Sequence, residues 1–180
     1  DPSITPVPTP GDEKQTQDIT TKYGNTLSRQ LGLTMTQTVK GAKTSVTFTS
    51  SNPKVATIDK NGKITCKAVG TTVITTTAIE SDEYKAVTKK LTLTVMPKKV
   101  GVKSLKSTKK RQAVVKSATT TAGNDGYQIQ YKNNGTTKRV GVKTSKKSVT
   151  RTLKNLKSGT NVQVRIRAYK KVDGKTIFGP

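Results

Sequence analysis

Turn residues recur so closely between Val46 and Ala78 that no helix of ordinary length fits among them. The stretch reads VTFTSSNPKVATIDKNGKITCKAVGTTVITTTA. Val46 and Phe48 alternate with threonines, the period-two spacing of a half-buried strand. Ser50-Ser51-Asn52-Pro53 then breaks the run, because Pro53 has no backbone N–H and Asn and Ser side chains bond back to local backbone. Val55 to Ile58 is the next expected strand. Asn61-Gly62 suits a turn that needs positive φ. Ile64 to Val69 is expected as a further strand, Gly70 as a further turn, and Val73 to Ala78 as the strand that closes the unit.

These residues resemble the bacterial immunoglobulin-like domains of group 2. The resemblance is carried by Ser50 to Pro53, Val55 to Ile58, Gly62, and Gly70-Thr71 before Ile74. Tyr84-Lys85-Ala86 and Leu91-Thr92-Leu93-Thr94-Val95 extend it, so that it covers roughly residues 14 to 97. It implies a β-sandwich found mainly in bacterial surface proteins, and it implies no reaction.

Composition agrees with an all-β chain. Thr and Val favour strands through their branched β-carbons, and no segment has long 3.6-residue apolar periodicity. The chain has 180 residues, 30% of them hydrophobic, with no Trp and two Phe. That is thin for one large core, and two sandwiches of about 80 to 90 residues are expected instead. The absence of histidine removes Ser-His-Asp and Cys-His nucleophile arrangements and His metal sites. The one cysteine, Cys66, alternates with Ile64 on a strand and reads as a small buried apolar residue. No apolar run is long enough for a transmembrane helix, and no signal peptide opens the chain. The chain begins in mid-linker and reads as a piece of a longer, exported protein.

Residues 1 to 13 are a Pro/Thr-rich linker, DPSITPVPTPG being an extended spacer sequence without its own core. Residues 14 to 97 form the first expected domain. Ile19 and Leu31 or Leu33 are its early core candidates, and Gly24-Asn25 and Gly41 mark turns. Residues 79 to 88 read as a loop carrying Glu80, Asp82 and Glu83. Their spacing fits no Ca²⁺ ligand loop, so they read as solvated, with Tyr84 tucked back onto the core. Pro97 ends the last strand. Residues 98 to 180 form the second domain, and the charge changes abruptly there. The first 97 residues carry 12 Lys+Arg against 8 Asp+Glu; the remainder carries 22 against 2, a net of +20.

In this second half Ala113, Val114 and Val115 begin a strand. Tyr127, Ile129 and Tyr131 alternate with glutamines, Asn134-Gly135 suits a hairpin, and Val140 and Val142 follow. Val149 and Leu153 come next. Val162, Val164, Ile166 and Ala168 alternate with Gln163, Arg165, Arg167 and Tyr169, and Asp173-Gly174 gives the last hairpin before Ile177-Phe178. The pattern resembles fibronectin type III domains, especially the lysine-rich kind at the ends of Gram-positive surface proteins. It is carried by Gly126 to Tyr131, Leu156 to Thr160, Val164 to Tyr169 and Asp173 to Gly179, and covers about residues 101 to 180. The family's second-strand tryptophan is missing, the region reading Val115-Lys116-Ser117-Ala118. Val162 replaces the tyrosine that makes the family's corner hydrogen bond. The expected fold is therefore all-β, two tandem immunoglobulin-like β-sandwiches.

If the strands around Ile129 and Ile166 lie side by side, as the resemblance implies, then Gln128, Gln130, Gln163, Arg165, Arg167 and Tyr169 share one outward face. Several donors and one flat ring suit a sugar or an anionic polymer. Lys109-Lys110-Arg111, Lys146-Lys147 and Lys170-Lys171 add charge that attracts polyanions through long-range fields. An exported chain of this kind would meet anionic cell-wall polymers, glycans or host surface molecules. No nucleic-acid-reading motif appears, and high pI alone gives only non-specific binding. No carboxylate pair is placed for acid–base work, and no cofactor or metal is implied. The expected function is a non-catalytic stalk or adhesion segment on a bacterial cell surface, Gram-positive in type. The alternative is an accessory carbohydrate-binding region of a secreted glycan-active enzyme.

Overall fold

The computed structural model describes residues 13–120 and 123–180. The Pro/Thr-rich opening stretch lies outside them, apart from Glu13. The chain is all-β and forms two immunoglobulin-like sandwiches in tandem. Among the described residues no sheet joins one sandwich to the other.

The first sandwich uses nine strands: β1 (Thr20–Thr21), β2 (Thr26–Gln30), β3 (Thr34–Thr36), β4 (Val39–Lys40), β5 (Val46–Ser50), β6 (Ala56–Ile58), β7 (Lys63–Cys66), β8 (Gly70–Ala78) and β9 (Val87–Met96). One sheet runs β2-β9-β8-β5, with β2 parallel to β9; the other runs β3-β7-β6, and β1 pairs β4. Ile64, Cys66, Ile74, Leu91, Leu93 and Val95 meet between the sheets. Ile19 is buried as expected. Leu31 packs against the core from its margin, whereas Leu33 is 46% exposed. The reason is the turn at Gly32, φ 84°, which swings Leu33 to the outside while its backbone bonds Gln30 and Cys66.

The Ser-Ser-Asn-Pro signature has a specific task here. The buried Thr72 hydroxyl lies 2.9 Å from Ser50 Oγ and 3.2 Å from Ser51 Oγ, and accepts the Asn52 backbone N–H at 2.9 Å. The motif is thus a polar clasp around one inward threonine of β8. Two strand limits differ from expectation. The strand from Ile64 stops at Cys66, because the N–H groups of Lys67 and Ala68 turn to the Val55 carbonyl at 2.8 and 3.1 Å. Gly70 is not a turn but the first residue of β8, opposite Val95. The acidic loop is also shorter than expected, since β9 already begins at Val87. Tyr84 is half-buried and bridges Gln15 rather than joining the core.

The second sandwich uses β10 (Val102–Lys109), β11 (Gln112–Ser117), β12 (Gly126–Asn133), β13 (Thr136–Lys143), β14 (Thr150–Leu153), β15 (Val162–Val172) and β16 (Lys175–Phe178). A three-stranded sheet, β10-β11-β14, faces a four-stranded one, β13-β12-β15-β16. The core holds Val115, Tyr127, Ile129, Leu153, Ile166 and Ala168. β10 escaped the sequence pattern because Val102 and Leu105 are its only apolar residues and register shifts interrupt its alternation at two places. Both two-residue hairpins are as expected: Asn134-Gly135 and Asp173-Gly174 have φ of 50° and 77°, and 49° and 74°, the positive pair that matches strand twist.

Tyr127 anchors this core. Its ring is fully buried. Its hydroxyl donates to the Lys146 carbonyl at 2.8 Å and lies 3.0 Å from Thr120 Oγ1. Ser117, also buried, accepts the Val149 N–H at 2.9 Å. The segment between the sandwiches is held from both sides. Gln30 Oε1 accepts the Lys99 N–H at 2.8 Å, and Gly179 packs so closely that a β-carbon there would stand 2.9 Å from the Pro97 carbonyl oxygen.

Candidate functional site on the basic sandwich

β12 and β15 lie side by side and antiparallel, with Gln128 opposite Arg167, Gln130 opposite Arg165, Lys132 opposite Gln163 and Gly126 opposite Tyr169. All six sequence-predicted residues therefore share the outer face of one sheet. Two neighbours that sequence reasoning did not include complete it. The Asn134-Gly135 hairpin sets Arg139 opposite Gln130, and the Asp173-Gly174 hairpin sets Phe178 opposite Tyr169. Two-residue hairpins fix the register by themselves, so both partners were readable by counting outward from each turn.

The face is built from internally satisfied pairs. Arg167 donates from Nε and Nη2 to Gln128 Oε1 at 3.0 and 2.8 Å, and its guanidinium lies over the Phe178 ring, 4.0 Å from the centroid. Burial and the nearby Arg165 and Arg139 charges lower the Arg167 pKa from the usual guanidinium value. Arg139 Nε donates to Gln130 Oε1 at 3.2 Å. Tyr169 and Phe178 meet edge to face, centroids 5.9 Å apart. Tyr169 covers the bare backbone of Gly126, where a β-carbon would stand 2.5 Å from the tyrosine hydroxyl oxygen and 2.3 Å from the Val142 carbonyl oxygen. Gln163 and Arg165 remain exposed beside a shallow depression of about 190 Å³ shared with Gln130, Lys132 and Thr137. The face can thus offer Arg165, Gln163 and the Tyr169 ring to a ligand, while Arg167 is committed to the sheet.

Electrostatically the sandwich is almost uncompensated. Its two carboxylates are Asp125 and Asp173. Asp125 pairs with Lys170 at 3.7 Å and accepts the Lys171 N–H at 2.8 Å. That is the sandwich's one ion pair among the described residues. Both carboxylates sit at the same end, beyond Gly126 of β12 and Val172 of β15. Among the described residues no group of acidic or thiol side chains is placed to hold a metal ion, and no helix is long and apolar enough to cross a membrane.

Residues 31–80 match the family profile described as "Intimin, immunoglobulin-like domain". No curated protein sequence matches the chain significantly. Among solved structures, the chain is similar to a two-domain fibronectin type III segment of chicken tenascin, at 20% identity and a TM-score of 0.50, over 91% of this chain and 96% of that one. It is also similar to an S-layer protein, at 18% identity and a TM-score of 0.36, over 93% of this chain and 28% of that one. The fibronectin(III)-like modules of Clostridium thermocellum CbhA match at 16% identity and a TM-score of 0.29, over 90% of this chain and 92% of those modules. The likeness to the tenascin segment shows the fold, two immunoglobulin- and fibronectin-type sandwiches in series.

Proposed function

We propose that the chain is a non-catalytic, extracellular module pair of a bacterial cell-surface protein. The first sandwich, of the group 2 bacterial immunoglobulin-like kind, acts as stalk. The second, a fibronectin type III-like module, contacts anionic polymers of a Gram-positive-type cell wall. The observation that carries this reading is the charge of the second half, 22 Lys+Arg against 2 Asp+Glu, on a sandwich with one internal ion pair among the described residues. Cationic charge without internal partners attracts polyanions through long-range fields, and their binding is driven by release of counterions.

The test is sedimentation of the whole chain with purified Gram-positive cell wall across a salt series. Binding that falls steeply with salt supports the reading. No binding at low salt overturns it. A second reading, an accessory carbohydrate-binding region, is favoured by one feature only, the Tyr169–Phe178 ring pair on the open sheet face. Salt-resistant binding to a neutral glycan would support that reading instead.

A further inference from the structure

Two concavities of the second sandwich lie away from the β12–β15 face. These depressions, of about 490 and 590 Å³, lie where the edge of β13 faces β14, and both are lined by Tyr131, Lys138 and Asn155. They form one groove along the open side of the sandwich. Five cations line it: Arg111, Lys138, Arg151, Lys154 and Lys157. All five are exposed, and no carboxylate lines either depression. Asp125, the nearer of the sandwich's two acids along the chain, precedes β12, and the groove meets β12 at Tyr131 and Asn133. Six to eight residues of extended strand separate Asp125 from Tyr131 and Asn133, roughly 20 to 26 Å, beyond a Debye length in physiological salt.

The groove is pre-shaped. Arg111, Asn134 and Asn155 have φ of 61°, 50° and 58°, so three of the four non-glycine residues with positive φ among the described residues line this one site. Asn134 takes its φ from the two-residue hairpin and Arg111 from the tight turn between Lys109 and Gln112, so turns of fixed backbone shape form the groove wall. Arg111 is locked by reciprocal bonds, its Nε donating to the Leu156 carbonyl at 3.2 Å and its carbonyl accepting the Leu156 N–H at 3.1 Å. Asn133 spans the end of the groove, accepting the Lys157 N–H and donating to Thr160 Oγ1, both at 2.7 Å. Asn, Ser and Thr side chains, which suit hydroxyls and phosphate oxygens, line it together with Val140, Leu153 and Leu156. The only ring is Tyr131, which is 8% exposed and offers no face for stacking a base or a sugar.

Resting on the reading that the second sandwich binds polyanions, we infer that this groove seats a ring-free phosphodiester chain, a polyol phosphate. Its phosphates lie along Arg111, Lys138, Arg151, Lys154 and Lys157, and its hydroxyls meet the asparagines.

The probe is poly(glycerol phosphate), titrated into the whole chain near physiological salt. One variant carries Lys138→Gln, Arg151→Gln and Lys154→Gln. A control carries Lys103→Gln, Lys106→Gln and Lys116→Gln, exposed residues of β10 and β11 outside the groove, and so removes the same charge. Both are checked for native unfolding midpoints. The groove variant is expected to bind at least about tenfold more weakly, with the slope of log K against log salt reduced by about 2, and the control less than about twofold more weakly. Equal losses in the two variants would overturn the groove and leave the basic-sandwich reading standing. No binding by the unaltered chain would overturn both. Oligothymidylate binding as tight as the polyol phosphate, and equally lost in the groove variant, would overturn the ring-free ligand class.

Discussion

The guanidinium of Arg167 is held between two side chains, the Phe178 ring 4.0 Å away on one side and the Gln128 carboxamide oxygen, within 3.0 Å of two of its nitrogens, on the other. This cross-strand stack ties β12, β15 and β16 together on their outer face. Lysine cannot donate twice to one oxygen while lying flat on a ring. Arg167→Lys is expected to destabilise the second sandwich by about 1 kcal/mol, and Phe178→Ala by more. Urea unfolding of each variant checks this. Lost stability with unchanged polyanion affinity would confirm that Arg167 serves the sheet.

Tyr127→Phe deletes one oxygen from the core and leaves the Lys146 carbonyl without its 2.8 Å donor. The expected cost is about 1–2 kcal/mol. Amides of the segment that follows β13 should also exchange faster with solvent. A neutral result would mean that water replaces the hydroxyl.

Gly62 combines φ of 76° with a near neighbour, since a β-carbon there would stand 2.3 Å from the Gln37 carbonyl oxygen. Gln37 is itself buried and clasps the Tyr23 backbone, its Oε1 accepting the Tyr23 N–H at 3.0 Å. Gly62→Ala is therefore expected to cost about 2 kcal/mol or more, measured as a lowered urea midpoint of the first sandwich alone.

Lys99 donates its backbone N–H to Gln30 Oε1 across the joint between the sandwiches. Gln30→Ala should leave both sandwiches folded but release this amide. Hydrogen exchange resolved at Lys99 is expected to accelerate toward the unprotected rate, and the scattering profile to broaden toward that of two jointed bodies. Unchanged protection would show that the close packing of Gly179 on Pro97 holds the joint by itself.

Burial raises the Cys66 thiol pKa, with the Arg29 charge opposing it more weakly. The unfolded thiol ionises first, near its ordinary value of about 8.5. The thiol's contribution to stability is therefore complete below that pH and is lost as pH rises toward the folded pKa. Cys66→Ala should lose less stability than the unaltered chain between neutral and alkaline pH, as read from paired urea titrations.

Strands with strict alternation or two-residue turns were legible in the sequence. Tyr127-Ile129-Tyr131 against Val164-Ile166-Ala168 placed the sheet face, and Asn134-Gly135 and Asp173-Gly174 placed its hairpins. What escaped depended on tertiary partners. Leu33 looks like a core residue until Gly32 turns it outward. Gly70 looks like a turn until Val95 pairs with it. β10 is nearly all polar and is a strand only because β11 lies beside it. The groove was invisible for the same reason. Arg111 sits in the turn between β10 and β11, Lys138 on β13 and Arg151 on β14, and no spacing along the chain announces that they converge.

Each sandwich has a pole at the joint and a pole away from it, and the carboxylates are distributed unevenly between these poles. In the first sandwich Gly70 and Val95 pair near the joint, so the loop carrying Glu80, Asp82 and Glu83 follows the far end of β8. In the second, the linker packs on Gly179 beside Ala168, and the cationic groove lies at the other end of β12. Glu80 is paired with Lys14, so the electric moment along the tandem is set mainly by the contrast between a net of +4 over the first 97 residues and +20 over the rest. Near a negatively charged surface the field exerts a torque on the molecule before contact, bringing the groove end forward and the acidic loop behind. A larger share of encounters then arrives correctly oriented, and the gain appears in the association rate, not in the lifetime of the complex.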